Sequence, residues 1–387
     1  MHNKVRDILE DVRRRGDPAV AAALKRFDGV DLPPARWRVK PSELESALGR
    51  ITPERRQILS EAVKNVRRFH EAERRRVVKD WSETRKGVTV GQRVTAVDAA
   101  GLYVPGGRFA YPSTVIMTAI PAKAAGVKRV VMVTPPRHLT DEVKAAAYLT
   151  GVDEVYQIGG VAAVGALAHG TRTVKAVDLI VGPGGAWVTE AKRQVFGLVG
   201  LDALAGPSEI VIIFDGSAPV SFAAADLMAQ GEHDPLARAT LISTDAEALK
   251  AVRAGVDPRF RAQCRFVKAR DLKDAAERSN TIAPEHLSLM VRNPKGLLPL
   301  IRHAGAIFLG AWSPVAAGDY WAGPSHVLPT ARSARFSSGL SVQTFLKRSS
   351  IIGVSEAAMK KNARRVAVLP EAEGLTEHAR SLRVRHG

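Results

Sequence analysis

The amino-acid sequence predicts an α/β protein with two Rossmann-like domains, each built on a mainly parallel sheet. Three observations predict this class: the chain has 387 residues, short apolar segments alternate with helical ones from about residue 101, and two such series follow one another. A chain of this length exceeds what a single core usually serves. Strands that alternate with helices are typical of parallel sheets. A helical N-terminal region and an extended helical C-terminal segment complete the prediction.

Residues 1–80 are predicted to be helical. Apolar residues recur at helical spacing over 5–14 and 18–27, with a break at Gly16-Asp17. A third, long amphipathic stretch begins after Thr52, which is a suitable helix cap because proline follows it at the first helical position. A β-rich segment over 87–104 then leads into the first α/β series.

The two α/β series follow from short apolar runs. The first series has predicted strands at 127–133, 154–158 and 177–181 and helices near 140–150 and 161–169. The second has predicted strands at 209–214, 239–243, 266–267, 287–291 and 306–309 and helices at 246–255 and 297–303. Residues 355–383 are predicted to be helical and basic. We divide the chain into four parts, 1–100, 101–208, 209–340 and 341–387, the first and third forming one α/β domain and the second another.

The composition excludes several classes of protein. No run of 18 apolar residues is present, so a membrane span is not expected, and the first residues are charged and helix-like, so secretion is not expected either. The single cysteine, Cys264, rules out a disulfide within the chain and fits a cytoplasmic protein. We interpret Cys264 as a small core residue, because no motif surrounds it.

The net charge of +18 permits two interpretations. One is nucleic-acid binding, and the other is a solvated basic surface. The basic residues are spread along the chain without the signature of a nucleic-acid-binding module, so no specific nucleic-acid partner is expected. The charge would also favour an anionic cofactor such as a dinucleotide.

Four clusters of polar residues offer catalytic or metal-binding chemistry. Gln230 and His233 are three residues apart on a predicted helix and could bind the same ion, or form a polar helix end. Glu285 and His286 precede a strand, where an adjacent acid and base suit proton transfer, although an ordinary loop histidine is the alternative. The other two clusters are the loop 318–330, in which Asp319 and His326 could converge, and the segment 373–378.

These clusters contain nitrogen and oxygen ligands without sulfur, which suit Zn²⁺ or a similar ion. The ligands are far apart in the sequence, so their spacing alone does not define a zinc motif.

Whether the chain binds a dinucleotide is also open, because no Gly-x-Gly-x-x-Gly follows a strand. Gly159-Gly160 and Gly182–Gly185 follow strand-like runs and could cradle phosphate at a helix N-terminus, or form tight turns.

Several motifs together resemble the histidinol dehydrogenase family over nearly the whole chain. They match in order and in approximate spacing, and their combination is specific to that family. The matching segments are Gly101–Gly107, Gly182-Pro183-Gly184, Val188–Val195, Ala205–Glu209, Gln230–His233, Pro284–Leu287, the loop 318–330 and Leu375-Thr376 with His378.

The resemblance implies a function and a set of roles. The activity would be a zinc-dependent four-electron oxidation of L-histidinol to L-histidine through L-histidinaldehyde with two NAD⁺. His286 would be the general base, and Glu285 would activate water. One Zn²⁺ per subunit would be bound by Gln230, His233, Asp319 and His378. The substrate contacts would be these four ligands with Ser208, His286, His326 and Glu373.

The resemblance also implies an assembly and a cofactor site. The family is a homodimer whose C-terminal segment, here 341–387, crosses to the partner, so Glu373 and His378 would complete the other subunit's site. Residues 101–208 would form the cofactor side and 209–340 would carry the metal and catalytic residues. Tyr103, Ala162 and Gly185 would lie at the cofactor.

The sequence departs from the family pattern at three places. The family usually has glutamine where Ala162 stands and asparagine where Gly185 stands, and both side chains contact the cofactor. Losing two such contacts would cost on the order of 1 kcal/mol each. The N-terminus also lacks the family's leading helical segment, for which we expect effects on packing only.

Two alternatives remain at this point. One is a related zinc-dependent alcohol dehydrogenase of the same fold that acts on another alcohol, such as a sulfonated diol. His326 and Glu373 favour histidinol instead, because a cationic substrate suits a carboxylate. The other is a catalytically degenerate basic paralogue that binds metal or nucleic acid, suggested by the charge and by Ala162 and Gly185.

Overall fold

The computed structural model describes residues 1–106 and 110–386, and for His233 it describes the backbone alone. Gly107, the last residue of the Gly101–Gly107 motif, lies outside the described residues. The strands are β1 (Trp81–Arg85), β2 (Val88–Ala96), β3 (Ala99–Tyr103), β4 (Arg129–Val133), β5 (Glu154–Tyr156), β6 (Leu179–Val181), β7 (Gly200–Leu201), β8 (Glu209–Phe214), β9 (Arg238–Ser243), β10 (Cys264–Lys268), β11 (His286–Met290), β12 (Ala306–Leu309) and β13 (Leu346–Val354).

The helices occupy most of the remaining described chain. They are α1 (His2–Arg15), α2 (Asp17–Ala23), α3 (Pro41–Arg50), α4 (Pro53–Val77), α5 (Pro112–Ala125), α6 (Asp141–Thr150), α7 (Gly160–His169), α8 (Ala186–Val195), α9 (Val220–His233), α10 (Ala246–Gly255), α11 (Pro258–Arg261), α12 (Leu272–Ile282), α13 (Pro294–Leu297), α14 (Val315–Ala317), α15 (Glu356–Ala372) and α16 (Thr376–Arg383). Thr52 caps α4 as expected, since its Oγ1 accepts a hydrogen bond from the Arg55 amide at 3.3 Å.

Two parallel five-stranded sheets confirm the predicted fold class. The first has the order β5-β4-β3-β6-β7 and the second β10-β9-β8-β11-β12, with parallel pairing throughout both. Their central strands are buried on both faces, which is why these segments are continuous apolar runs rather than alternating ones.

The N-terminal helices share a core with the first sheet. Val5, Leu9 and Val12 of α1 are buried together with Val131 of β4 and Leu167 of α7. The apolar face predicted from helical spacing therefore packs as an internal surface. The domain boundaries predicted from the sequence are not decided by this contact, and they stay a prediction.

The described chain divides into two compact units. The first contains Met1–Arg74 and Val97–Phe345, and with them both parallel sheets. The second contains Arg75–Ala96 and the chain from Leu346 onward. Within the second unit, β1, β2 and β13 form an antiparallel sheet, and α15 and α16 pack against each other. In the described part of the chain, no helix combines the length and the apolar character needed to span a membrane.

Two local predictions were wrong. The segment 341–387 is not helical throughout, because 346–354 forms β13, whose nine residues pair with β2. The predicted helix at 297–303 is also absent, since α13 ends at Leu297 and only one 3₁₀ turn follows. Asn280 explains this break: its side chain donates to the Leu300 carbonyl and accepts from the Arg302 and His303 amides, groups that a continuing helix would use.

Candidate active site

The two predicted catalytic residues lie at the amino end of the second sheet. His286 is the first residue of β11, and Glu285 directly precedes it. In the parallel pairing of β11 with β8, His286 is opposite Ile210, so Ser208 and Glu209 at the start of β8 lie beside the Glu285-His286 pair. Strand pairing therefore brings together two dipeptides that are 77 residues apart in the chain.

The surroundings of His286 define its tautomer. The residue is 4% exposed, and its Nδ1 lies 3.2 Å from the backbone carbonyl of Glu209. Because a carbonyl only accepts hydrogen bonds, Nδ1 carries the proton in this pair and Nε2 carries the lone pair. Nε2 lies 3.9 Å from Asp319 Oδ1, beyond hydrogen-bond distance. In this tautomer the imidazole could accept a proton through Nε2.

Glu285 is fixed as an acceptor next to this imidazole. Its Oε2 accepts hydrogen bonds from Ser208 Oγ at 2.5 Å and from the Glu209 amide at 2.9 Å, and it lies 3.6 Å from His286 Nδ1. A carboxylate that accepts two such bonds is held in one orientation. The structure therefore brings Ser208, Glu285 and His286 together.

Glu209 belongs to this site, although the sequence analysis did not single it out. Its backbone binds both His286 and Glu285, and its side-chain Oε1 accepts a hydrogen bond from the Ala331 amide at 3.0 Å. Ala331 and Arg332 have positive φ values of 52° and 69°, so the carboxylate stabilises a turn that non-glycine residues rarely adopt. Burial and the neighbouring Glu285 raise the pKa of Glu209.

Asp319 and His326 converge, as the sequence suggested. Asp319 lies in a π-helical turn, Gly318–Ala322, and its backbone carbonyl accepts from His326 Nδ1 at 3.2 Å. Single π turns occur frequently at functional sites because they free backbone groups from the regular ladder. Burial raises the pKa of the Asp319 carboxyl to about 6, with the His286 imidazole acting in the opposite direction.

Of the four predicted metal ligands, Gln230 has the most informative surroundings among the described side chains. Gln230, on α9, is 3% exposed, and its Nε2 has no hydrogen-bond partner among the described residues. Among the same residues, no group of three His, Cys, Asp or Glu side chains clusters as a metal centre. These four residue types do not cover the whole predicted set. Gln230 is not one of them, and the side chain of His233 is not described. His378 belongs to the second unit. The donors are nitrogen and oxygen, and a buried amide without a partner fits a ligand to Zn²⁺.

Glu373 and His378 lie in the second unit. Glu373 follows α15 and His378 is on α16, and both side chains are exposed. Their roles in a partner subunit's site stay a prediction.

The predicted cofactor residues lie at the carboxyl edge of the first sheet. Tyr103 ends β3, and its hydroxyl accepts a hydrogen bond from the Gly160 amide at 3.1 Å. Burial raises the pKa of this phenol to about 12, so it stays protonated. A cavity of about 380 Å³ adjoins this edge and is lined by Gly160 and Ala162 together with Phe27, Asp28 and Trp187, three residues that sequence reasoning missed.

The turn before α8 is braced by a buried ion pair. Lys192 Nζ lies 2.5 Å from Asp202 Oδ1 and donates to the Gly182 carbonyl at 3.0 Å, while Asp202 Oδ2 accepts from the Gly182 amide at 2.7 Å. Both side chains are less than 5% exposed. Gly182 has φ +108°, and a Cβ there would meet the Tyr103 carbonyl oxygen at 2.3 Å. The pair therefore holds a turn that only glycine permits.

The fold and the site together define an enzyme of the α/β class with a buried acid–base pair. The sequence model of a family described as histidinol dehydrogenase matches residues 1–386. The chain belongs to the histidinol dehydrogenase family, a family of oxidoreductases, which confirms the resemblance seen in the sequence.

Individual relatives agree with this assignment. Histidinol dehydrogenase from Thermosynechococcus vestitus is 47% identical, covering 98% of this chain and 92% of that protein. The enzyme of the same name from Pseudomonas fluorescens is 48% identical, covering 100% and 90%. The crystal structure of histidinol dehydrogenase from Elizabethkingia anophelis has a TM-score of 0.92 at 32% identity and covers 99% and 91%. An acetylating aldehyde dehydrogenase from Geobacillus thermoglucosidasius shares the fold alone, with a TM-score of 0.51 at 12% identity over 92% and 97%.

Proposed function

We propose that this chain oxidises L-histidinol to L-histidine through L-histidinaldehyde, the last step of histidine biosynthesis. The alcohol, one water and two NAD⁺ would give the carboxylate, two NADH and three protons. The observation that carries the proposal is the buried imidazole of His286, whose Nδ1 donates to the Glu209 carbonyl and whose Nε2 faces the Asp319 carboxylate. Such a base can accept the hydroxyl proton of a primary alcohol.

The chain's own residues supply the proton transfers. His286 Nε2 accepts the alcohol proton as hydride leaves the carbon, and the Glu209 carbonyl keeps the ring in the required tautomer. Glu285, held by Ser208 and the Glu209 amide, would accept a proton from the water that adds to the aldehyde. His286 then releases the alcohol proton to solvent and acts again as the base when the hydrated aldehyde gives up the second hydride. No cysteine is needed, which is consistent with the single, half-buried Cys264.

Two groups outside the polypeptide complete the proposal. Gln230, His233, Asp319 and His378 of the partner subunit would hold one Zn²⁺, whose chemistry is to bind and orient the amine and imidazole of the substrate. NAD⁺ would accept the hydrides at the edge formed by Tyr103, Ala162 and Gly185. His326, Ser208 and Glu373 of the partner subunit would contact the substrate. The protein would accordingly act as a cytoplasmic homodimer with shared active sites.

The test is NADH formation by the purified protein with L-histidinol and Zn²⁺, with and without a chelator. We expect two NADH per L-histidine, and loss of turnover after chelation that added Zn²⁺ restores. Turnover of a sulfonated diol in place of histidinol would instead favour another alcohol as the substrate. The absence of turnover on either alcohol, with salt-sensitive nucleic-acid binding, would favour the degenerate paralogue.

Mixing two inactive variants tests the shared sites. His286→Ala removes the base from its own site, and His378→Ala removes a ligand from the partner's. In a mixed dimer one of the two sites is intact if the sites are shared, so we expect about half of the wild-type activity. Dimers purified through two different affinity tags provide the measurement, and each homodimeric variant is the control. Verified mixed dimers without activity would mean that each site is built from one chain.

Restoring the two missing polar side chains should strengthen cofactor binding. In Ala162→Gln/Gly185→Asn we expect the Michaelis constant for NAD⁺ to fall about 30-fold, since each of the two contacts contributes on the order of 1 kcal/mol and about 1.4 kcal/mol is a factor of ten. The backbone permits the second change, because Gly185 has φ −65° and a Cβ there meets no described heavy atom within 4 Å. Steady-state kinetics with varied NAD⁺ give the answer. An unchanged constant would indicate that other residues have replaced these contacts.

A further inference from the structure

Asp226 is a partly buried carboxylate that the mechanism above does not use. It lies on α9, in the apolar segment between Ala223 and Met228. Its Oδ2 is buried without a hydrogen-bond partner among the described residues, and burial alone raises the pKa of this carboxyl to about 6. Burying a carboxylate oxygen without a partner costs free energy, so such a residue needs a reason to be present.

Asp226 is aligned with both metal ligands proposed on the same helix. Gln230 is four residues later and His233 seven, so all three lie on one face of α9. Side chains four apart on a helix are neighbours, with Cβ atoms about 5–6 Å apart, and aspartate and glutamine at this spacing form hydrogen bonds. The face therefore carries one carboxylate and two proposed ligands on successive turns.

The two polar groups without partners are complementary. Gln230 Nε2 is a buried donor and Asp226 Oδ2 is a buried acceptor, and neither has a partner in the described chain. An amide that binds a cation through its oxygen directs its nitrogen away from the ion, and the polarised N–H becomes a stronger donor. A carboxylate one turn away is then a suitable acceptor.

We propose that Asp226 is a positioning residue for the metal site, accepting a hydrogen bond from Gln230 Nε2 so that Gln230 Oε1 points at the ion. This inference rests on the proposed function, because it takes Gln230 as a metal ligand. Asp226 itself touches neither the ion nor the substrate. The hydrogen bond to Gln230 Nε2, made when the glutamine is in its ligating orientation, offsets the free-energy cost of burying Asp226 Oδ2.

The test measures zinc affinity and stability separately in the full-length protein. Competition with a chromophoric chelator gives the dissociation constant for Zn²⁺, and thermal unfolding in excess chelator gives the Tm of the zinc-free protein. We expect Asp226→Ala to weaken zinc binding about 10- to 100-fold. Asp226→Asn keeps an acceptor oxygen and should stay within about threefold of wild type, while its zinc-free Tm rises by about 2 °C, because no charge is buried. Asp7→Ala, on the exposed face of α1, is the matched control and should change neither value.

A double-mutant cycle shows whether Asp226 acts through Gln230. In a Gln230→Ala background, Asp226→Ala should have no further effect on zinc affinity. An additive loss, or an equal loss in Asp226→Ala and Asp226→Asn, would overturn the positioning role, since the charge itself would then matter. Unchanged affinity in Asp226→Ala would overturn this inference and leave the zinc site intact. A wild-type protein that fails to retain zinc would overturn the metal site and the inference together.

Discussion

Replacing His286 by alanine is expected to lower kcat for histidinol about 10³-fold, because general acid–base catalysis contributes about 10²–10⁴. The zinc content should stay at the wild-type level, since His286 is not among the proposed ligands. Single-turnover and steady-state rates, with metal analysis of the same samples, provide the measurement.

A second variant separates the base from the hydrogen bond that holds it. In His286→Asn the side-chain amide can still donate to the Glu209 carbonyl, as Nδ1 does in the native protein, but no basic nitrogen replaces Nε2. We therefore expect His286→Asn to be as inactive as His286→Ala while unfolding closer to the wild-type temperature. Activity within tenfold of wild type in either variant would contradict the assignment of His286 as the base.

Replacing Lys192 by methionine is expected to lower the free energy of unfolding by about 3–5 kcal/mol. The substitution leaves Asp202 buried without its cation and removes the donor to the Gly182 carbonyl. An uncompensated buried charge is among the most destabilising changes that a single substitution makes. Urea unfolding followed by circular dichroism gives the free energy.

The matched control for Lys192 is Lys250, which also pairs with a carboxylate on a helix. Its Nζ lies 2.9 Å from Glu247 Oε1, but both side chains are more than 70% exposed. Exposed pairs contribute little, so Lys250→Met should unfold at the wild-type urea concentration. Similar unfolding midpoints for Lys192→Met and Lys250→Met would show that the turn at Gly182 does not depend on the buried pair.

The fold was predictable because its signals are local. Buried parallel strands such as β4 and β8 are continuous apolar runs, and Thr52-Pro53 marks the start of α4. The break after Leu297 was not predictable, since it depends on Asn280, whose side chain takes the backbone groups of a segment about 20 residues away. Strand β13 was missed for a related reason, because its pairing partner β2 lies some 250 residues earlier in the chain.

The site was predictable where chemistry is concentrated in neighbouring residues. Glu285 and His286 are adjacent, and Ser208 belongs to a recognisable motif. Glu209 and Lys192 also lie in matching motifs, but Glu209 acts largely through its backbone and Lys192 through a partner in a separate loop, so their roles could not be predicted from the residue types. Asp226 did have a sequence signal, a lone carboxylate in an apolar helix segment. Its significance depended on finding buried polar groups without partners.

The position of His286 within the sheet has a consequence for how this enzyme would lose activity on heating. β11 lies between β8 and β12, and His286 is paired with Ile210 on one side and Ala306 on the other. Backbone with paired strands on both sides opens only when much of the domain opens. Amide hydrogen exchange at the start of β11 should therefore be among the slowest in the chain, and heat inactivation should coincide with global unfolding rather than precede it.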